Sequence, residues 1–134
     1  MDSNKKCQIL FIDDDRDTCY MLSALLEIEG YLVIIASDIS QGIKLARKRK
    51  FDLILLDWYL EGGTGIDVCR QIRSFDEHTP IFFYTDIADP EALKTALETG
   101  AQGYFIKPVD SAALLRVLKT RMAGSESKNE LPPM

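Results

Sequence analysis

Five polar positions stand at the ends of apolar runs, and their side chains together could handle a phosphoryl group. Asp13 and Asp14 follow the run 7–12, Asp57 follows 51–56, Thr85 follows 80–84 and Lys107 follows 103–106. In open helix-and-sheet folds ligands bind outside the carboxyl ends of the strands, so groups at these positions are placed for chemistry rather than stability. Three carboxylates gathered within a few ångströms repel one another by roughly 4 kcal/mol per pair at about 4 Å and an effective dielectric near 20. One lysine does not offset three of them. Either one carboxylate keeps a proton or a divalent cation sits among them, and all-oxygen ligands favour Mg²⁺ or Mn²⁺ over zinc. A carboxylate nucleophile, a metal, a fixed cation and a hydroxyl make up the inventory of aspartyl-phosphate chemistry.

Positioning these groups on one edge requires alternating strands and helices, and the sequence alternates them five times. The run 51–56 is continuous rather than alternating, the pattern of a strand buried on both faces in a parallel sheet. Residues 7–12, 31–36, 80–84 and 103–106 supply the other strands, with Pro80 at a first position that needs no ladder donor. A helix is expected over 16–29, with Met21, Leu22, Leu25, Leu26 and Ile28 as its apolar stripe and Gly30 as its stop. Ser37 or Asp38 caps a second helix bearing Ile39, Ile43, Leu45 and Ala46. Trp58–Gly63 reads as a loop, after which Thr64 caps a third helix with Ile66, Val68, Cys69 and Ile72. Asp89-Pro90-Glu91 opens a fourth helix that Gly100 ends. Asp110 caps a fifth, with Leu114, Leu115, Val117, Leu118 and Met122. Right-handed crossovers then cover both faces, giving a three-layer αβα sandwich round a five-stranded parallel sheet.

Composition sets the bounds. A chain of 134 residues, 46% apolar and 28% charged, is sized for one globular domain, expected over 7–123 between an N-terminal extension, 1–6, and a disordered polar tail, 124–134. No apolar run is long enough for a membrane span or a signal peptide, so a cytoplasmic location is expected. The net charge of −5 argues against direct binding to nucleic acid. Cys7, Cys19 and Cys69 form no Cys-x-x-Cys pair and read as free thiols. The run Arg47-Lys48-Arg49-Lys50 reads as a helix end whose dipole favours cations, and His78 as a surface loop residue.

Ile12-Asp13-Asp14, Leu55-Leu56-Asp57, Tyr84-Thr85 and Tyr104-Phe105-Ile106-Lys107-Pro108, in this order and spacing, resemble the receiver domain of two-component response regulators, over residues 7 to about 122. The resemblance implies a (βα)₅ flavodoxin-like fold and phosphoryl transfer to Asp57 from a sensor histidine kinase or histidine phosphotransfer protein. It implies Asp14 as a direct magnesium ligand, Asp13 acting mainly through water, and Asp57 and the Tyr59 backbone carbonyl as further ligands. Lys107 would pair with a phosphoryl oxygen, Thr85 would swing inward to bond another, and Tyr104 would be the switch aromatic. Lys107-Pro108 would be a cis peptide. Output would pass through the fourth helix, fifth strand and fifth helix to a downstream protein effector, or through a weak homodimer on that face. No effector domain is expected after the last helix, and the domain would catalyse only its own phosphotransfer and dephosphorylation.

Four residues depart from the family pattern. Glu61 stands where proline is usual, which suggests a more mobile loop. Asp86 replaces a small residue after Thr85, where a carboxylate would repel a phosphoryl donor. Tyr59 would overhang the site and tune hydrolysis, and Asp15 lengthens the acidic run, although strand phase and the family spacing favour Asp13 and Asp14 as the pair. Two alternatives remain open: a phosphorylation-independent receiver-like adaptor, and an aspartate-nucleophile phosphohydrolase. The second lacks the aspartate that dehalogenase-like phosphatases carry two residues on, where Tyr59 stands.

Overall fold

A computed structural model describes residues 7–107 and 111–124. In chain order the elements are β1 (Gln8–Ile12), α1 (Arg16–Ile28), β2 (Leu32–Ala36), α2 (Ile39–Lys48), β3 (Leu53–Leu56), β4 (Tyr59–Leu60), β5 (Gly63–Thr64), α3 (Gly65–Arg73), β6 (Ile81–Thr85), α4 (Pro90–Thr99), β7 (Gly103–Ile106) and α5 (Ser111–Gly124). The five longer strands form one parallel sheet in the order β2-β1-β3-β6-β7. This is the doubly wound, flavodoxin-like arrangement, whose switch point lies between β1 and β3 because the chain leaves them in opposite directions.

Successive strand side chains point to opposite faces, so each apolar run feeds two cores. Leu10, Ile12, Ile54, Leu56, Ile81 and Phe83 pack against α2, α3 and α4. Ile9, Phe11, Leu53, Leu55, Phe82 and Tyr84 pack against α1 and α5, from which Leu114 and Leu118 are fully buried. Burial on both faces explains why β3 reads as a continuous apolar run rather than an alternating one.

Local signals set the helix ends. The carboxylates of Asp15, Asp38 and Asp89 and the hydroxyl of Thr64 accept N–H groups of the first turns of α1, α2, α4 and α3. Gly100, which ends α4, has φ 120°, a conformation that side chains disfavour. The basic run at the end of α2 is largely engaged. Arg47 lies over the Phe75 ring and Arg49 over Phe51, while Lys50 pairs with buried Asp76 at 3.5 Å. Arg47, Arg49 and Lys50 thus contact neighbouring segments of this chain.

Three expectations need correction. Met21 and Ile28 do not face the core but are 69% and 81% exposed, and Cys19 joins Leu22 and Leu26 inside. At 3.6 residues per turn, Cys19, Leu22 and Leu26 share a face, while Met21 and Ile28 fall on the far side with Tyr20. The stretch after Asp57 is not a plain loop: β4 and β5 pair antiparallel round Glu61 and Gly62. The last helix continues to Gly124, one residue into the expected tail. The rest of that tail, the extension 1–6, the Asp110 cap and the Lys107-Pro108 peptide lie outside the described residues. Among the described residues no helix is long and apolar enough to cross a membrane.

Candidate functional site

Strand register brings the five sequence-distant groups together. Ile12 pairs with Leu56, so Asp13 and Asp57 each stand one step beyond a paired residue, and the Asp57 N–H donates to the Ile12 carbonyl at 3.1 Å. On the other side Thr85 pairs with Ile106, and the Lys107 N–H donates to the Thr85 carbonyl at 2.7 Å. The site therefore straddles the switch point, at the carboxyl edge of four adjacent strands.

Each carboxylate has its own environment. Asp13 is fully buried. Its Oδ1 accepts the Asp15 N–H at 2.8 Å, its Oδ2 accepts from Lys107 Nζ at 2.9 Å, and its backbone carbonyl accepts from Cys19 Sγ at 3.3 Å. Asp57 is half-buried, with Oδ1 accepting the Trp58 N–H at 2.7 Å and Oδ2 lying 3.5 Å from Lys107 Nζ. Asp14 is exposed and accepts the Glu61 N–H at 3.1 Å. Burial pushes the Asp13 carboxyl above its usual range, with Asp57 adding repulsion, although Lys107 and the Asp15 amide act the other way. Asp57 is raised by burial too, against the opposing effects of Lys107, the Trp58 amide and the Thr85 hydroxyl. Lost hydration acts to lower the Lys107 pKa, but Asp13 and Asp57 outweigh it and hold the ammonium above its usual value.

A buried and a half-buried carboxylate whose charged forms are disfavoured, with one lysine between them, call for more positive charge. Asp13, Asp14 and Asp57 can each offer one oxygen, all within 4.8 Å of one another. That spacing and the all-oxygen donor set fit a hard divalent cation such as Mg²⁺.

The remaining expected residues surround this centre. Thr85 is fully buried at the end of β6, its hydroxyl already near enough to favour the charged form of Asp57 and also accepting the Ile87 N–H at 3.4 Å. Tyr104 is half-buried, its ring stacked on Phe83 at 5.9 Å and near Trp58 at 6.4 Å, and its hydroxyl donates to the Ile87 carbonyl at 2.8 Å. Burial first, then Asp89, Asp57 and Asp86, push the Tyr104 phenol up to about 12. Tyr59 is 63% exposed on β4, and Asp86 is exposed just beyond Thr85. Exposed His78 lies away from these groups, in the turn after α3 where its N–H donates to Asp76.

Sequence reasoning missed three contributors. Asp15 caps α1 while its amide holds Asp13, a role legible in the spacing of Asp15 and Thr18. Gly65 is required because a side chain there would overlap the Asp57 carbonyl and stand 2.8 Å from the Phe83 ring. Glu61 acts through its backbone, which side-chain motifs do not encode.

A family model described as "Response regulator receiver domain" matches residues 9–119. The "DNA-binding response regulator MtrA" of Mycolicibacterium smegmatis is 36% identical over 121 residues, 90% of this chain and 53% of that protein. The chain thus spans about half the length of this curated relative. Among solved structures, a two-component response regulator from Clostridium difficile aligns with TM-score 0.84 and 31% identity, over 88% of this chain and 97% of that one. A CheY-like receiver domain protein from Methanospirillum hungatei JF-1 aligns with TM-score 0.87 and 27% identity, over 93% of this chain and all of that one.

Proposed function

The chain belongs to the response regulator receiver domain family of two-component signalling, and from that premise we propose that Asp57 accepts a phosphoryl group in a magnesium-dependent reaction. The donor is a phosphohistidine of a sensor histidine kinase or phosphotransfer protein, met in the cytoplasm. An Asp57 oxygen forms the new P–O bond as the donor's P–N bond breaks. The observation that carries this reading is the convergence of Asp13, Asp14, Asp57, Thr85 and Lys107 from four strand ends, with three carboxylate oxygens within 4.8 Å and Lys107 Nζ 3.5 Å from Asp57 Oδ2. Asp13, Asp14, Asp57 and the Tyr59 carbonyl would hold Mg²⁺ or Mn²⁺, which when bound neutralises charge on the phosphoryl oxygens.

Lys107 has two jobs in this scheme. Before transfer it compensates Asp13 and Asp57; afterwards its ammonium is near enough to follow the charge onto the phosphoryl group. Phosphorylation adds roughly −1.5 to −2 charges and three acceptors, and the Thr85 hydroxyl is the neutral donor beside them. Tyr104, bonded to the carbonyl two residues after Thr85, links that movement to the face formed by α4, β7 and α5, which signals to a protein effector or pairs weakly with a second copy. This is a signalling role. The adaptor alternative loses ground because the site set is complete, and the phosphohydrolase alternative because exposed Tyr59 occupies the position of the second acid.

Adding beryllofluoride with Mg²⁺ is expected to shift the amide resonances of Thr85, Tyr104 and α4. Identical spectra with and without the phosphoryl mimic would defeat the switch. Asp86 gives a kinetic prediction. One like charge near a phosphoryl donor costs about 1 kcal/mol at 4 Å in water, so Asp86→Ala is expected to accept phosphate from acetyl phosphate roughly fivefold faster. A rate no faster than the parent's would remove Asp86 from the account of donor access.

A further inference from the structure

The turn between β4 and β5 makes a contact that its sequence departure alone permits. Leu60 pairs with Gly63, leaving Glu61 and Gly62 as a two-residue turn in which Gly62 has φ 98°. The Glu61 N–H is not spent within the hairpin but donates to Asp14 Oδ2 at 3.1 Å, across 47 residues of sequence. The far side of the hairpin rests on α2, where a side chain built at Gly63 would come within 3.0 Å of Ile39 Cδ1.

Asp14 is the least constrained of the three carboxylates. Asp13 is held by Lys107 and the Asp15 amide, and Asp57 by the Trp58 amide and Lys107. The contact recorded for the Asp14 carboxylate among the described residues is the Glu61 amide. An exposed carboxylate with no partner samples several rotamers, and ordering it on metal binding carries an entropic cost. Hydrogen bonds that orient a metal-binding carboxylate typically change metal affinity by 10- to 100-fold.

We infer that the backbone amide of Glu61 is the positioning group for Asp14: it fixes one carboxylate oxygen so that the other faces Asp13 and Asp57, making the β4–β5 turn the outer wall of the metal site. Proline, usual here in the family, lacks an N–H and has no such bond to give. Instead of mobility, the departure supplies a tether. The inference rests on the proposed metal-binding reading.

The test compares Glu61→Pro with Glu61→Ala. Both lose the side-chain carboxylate and only the first loses the N–H. Proline is favoured at the first central position of a turn whose second residue has positive φ, and the preceding Leu60 is already extended, so the hairpin is expected to survive. Titrating the full chain with Mg²⁺ by calorimetry, Glu61→Pro is expected to bind about 10-fold more weakly than Glu61→Ala, with equal urea midpoints in the absence of metal. Equal affinities in the two variants would overturn the inference while leaving metal binding itself intact. No saturable Mg²⁺ binding by the parent would overturn the metal reading and this inference together. A metal-free measurement reads the contact directly: hydrogen exchange of the Glu61 amide is expected to accelerate at least about 10-fold in Asp14→Ala, and unchanged exchange would overturn the tether whatever the affinities.

Discussion

Asp57→Asn is expected to abolish phosphoryl incorporation from acetyl phosphate in the presence of Mg²⁺, a fall of at least about 100-fold, read by intact-protein mass. Asparagine keeps the shape of the side chain and its acceptor for the Trp58 amide, but it lacks the carboxylate oxygen that attacks phosphorus. Lost labelling would not reflect lost folding. Burial raises the Asp57 pKa in the folded state. A carboxyl with a raised folded pKa contributes most favourably below its unfolded pKa, and that contribution is lost as pH rises through the folded value. At neutral pH the ionised Asp57 therefore costs stability, and the neutral amide removes that cost. The urea midpoint of Asp57→Asn without metal is expected to equal or exceed the parent's. A lower midpoint would show that the carboxylate is stabilising, contrary to the electrostatic picture of the site.

Gly65→Ala is expected to destabilise the domain by about 3 kcal/mol and to disturb the site with it. Gly65 opens α3 directly behind Asp57, and its N–H donates to the Trp58 carbonyl at 2.6 Å. An added methyl would overlap the Asp57 backbone carbonyl and press on Phe83, a fully buried ring that stacks on Tyr104 and meets Trp58 at a tilt. Neither obstacle is a flexible side-chain end. Overpacking of this kind costs about 1–3 kcal/mol and occasionally more. Because the displaced backbone carries Asp57, weaker Mg²⁺ binding should accompany the lower urea midpoint. A variant with the parent's midpoint would mean that the chain relaxes there at no cost.

The strand ends were legible because a doubly wound sheet turns a one-dimensional regularity into a site. Each apolar run stops at the sheet edge, so the polar residues after the runs 7–12, 51–56, 80–84 and 103–106 had to meet there. Asp13, Asp14, Asp57, Thr85 and Lys107 do meet. The caps at Asp38, Thr64 and Asp89 were equally readable, since capping depends on local spacing alone.

What escaped the sequence depends on phase or on backbone. Met21 and Ile28 look like core residues by type, yet the buried face of α1 runs through Cys19, Leu22 and Leu26 and leaves them facing outward. The hairpin at Tyr59–Thr64 has two-residue strands, too short for any periodicity. Lys107 was expected at the phosphoryl oxygens. In the structure its closer partner is Asp13, 2.9 Å away against 3.5 Å for Asp57, and Asp13 is the more deeply buried of the two. The Glu61 amide and the clearance at Gly65 are main-chain features, invisible to any motif of side chains.

The central claim is that Asp57 becomes an acyl phosphate. Its most direct measurement is to incubate the chain with acetyl phosphate and Mg²⁺, reduce the product with borohydride, which converts an aspartyl phosphate to homoserine, and map the peptides by mass. The account predicts homoserine at position 57 and nowhere else, dependent on Mg²⁺. Reduction at another aspartate, or at none while the protein remains folded and binds the metal, would contradict it.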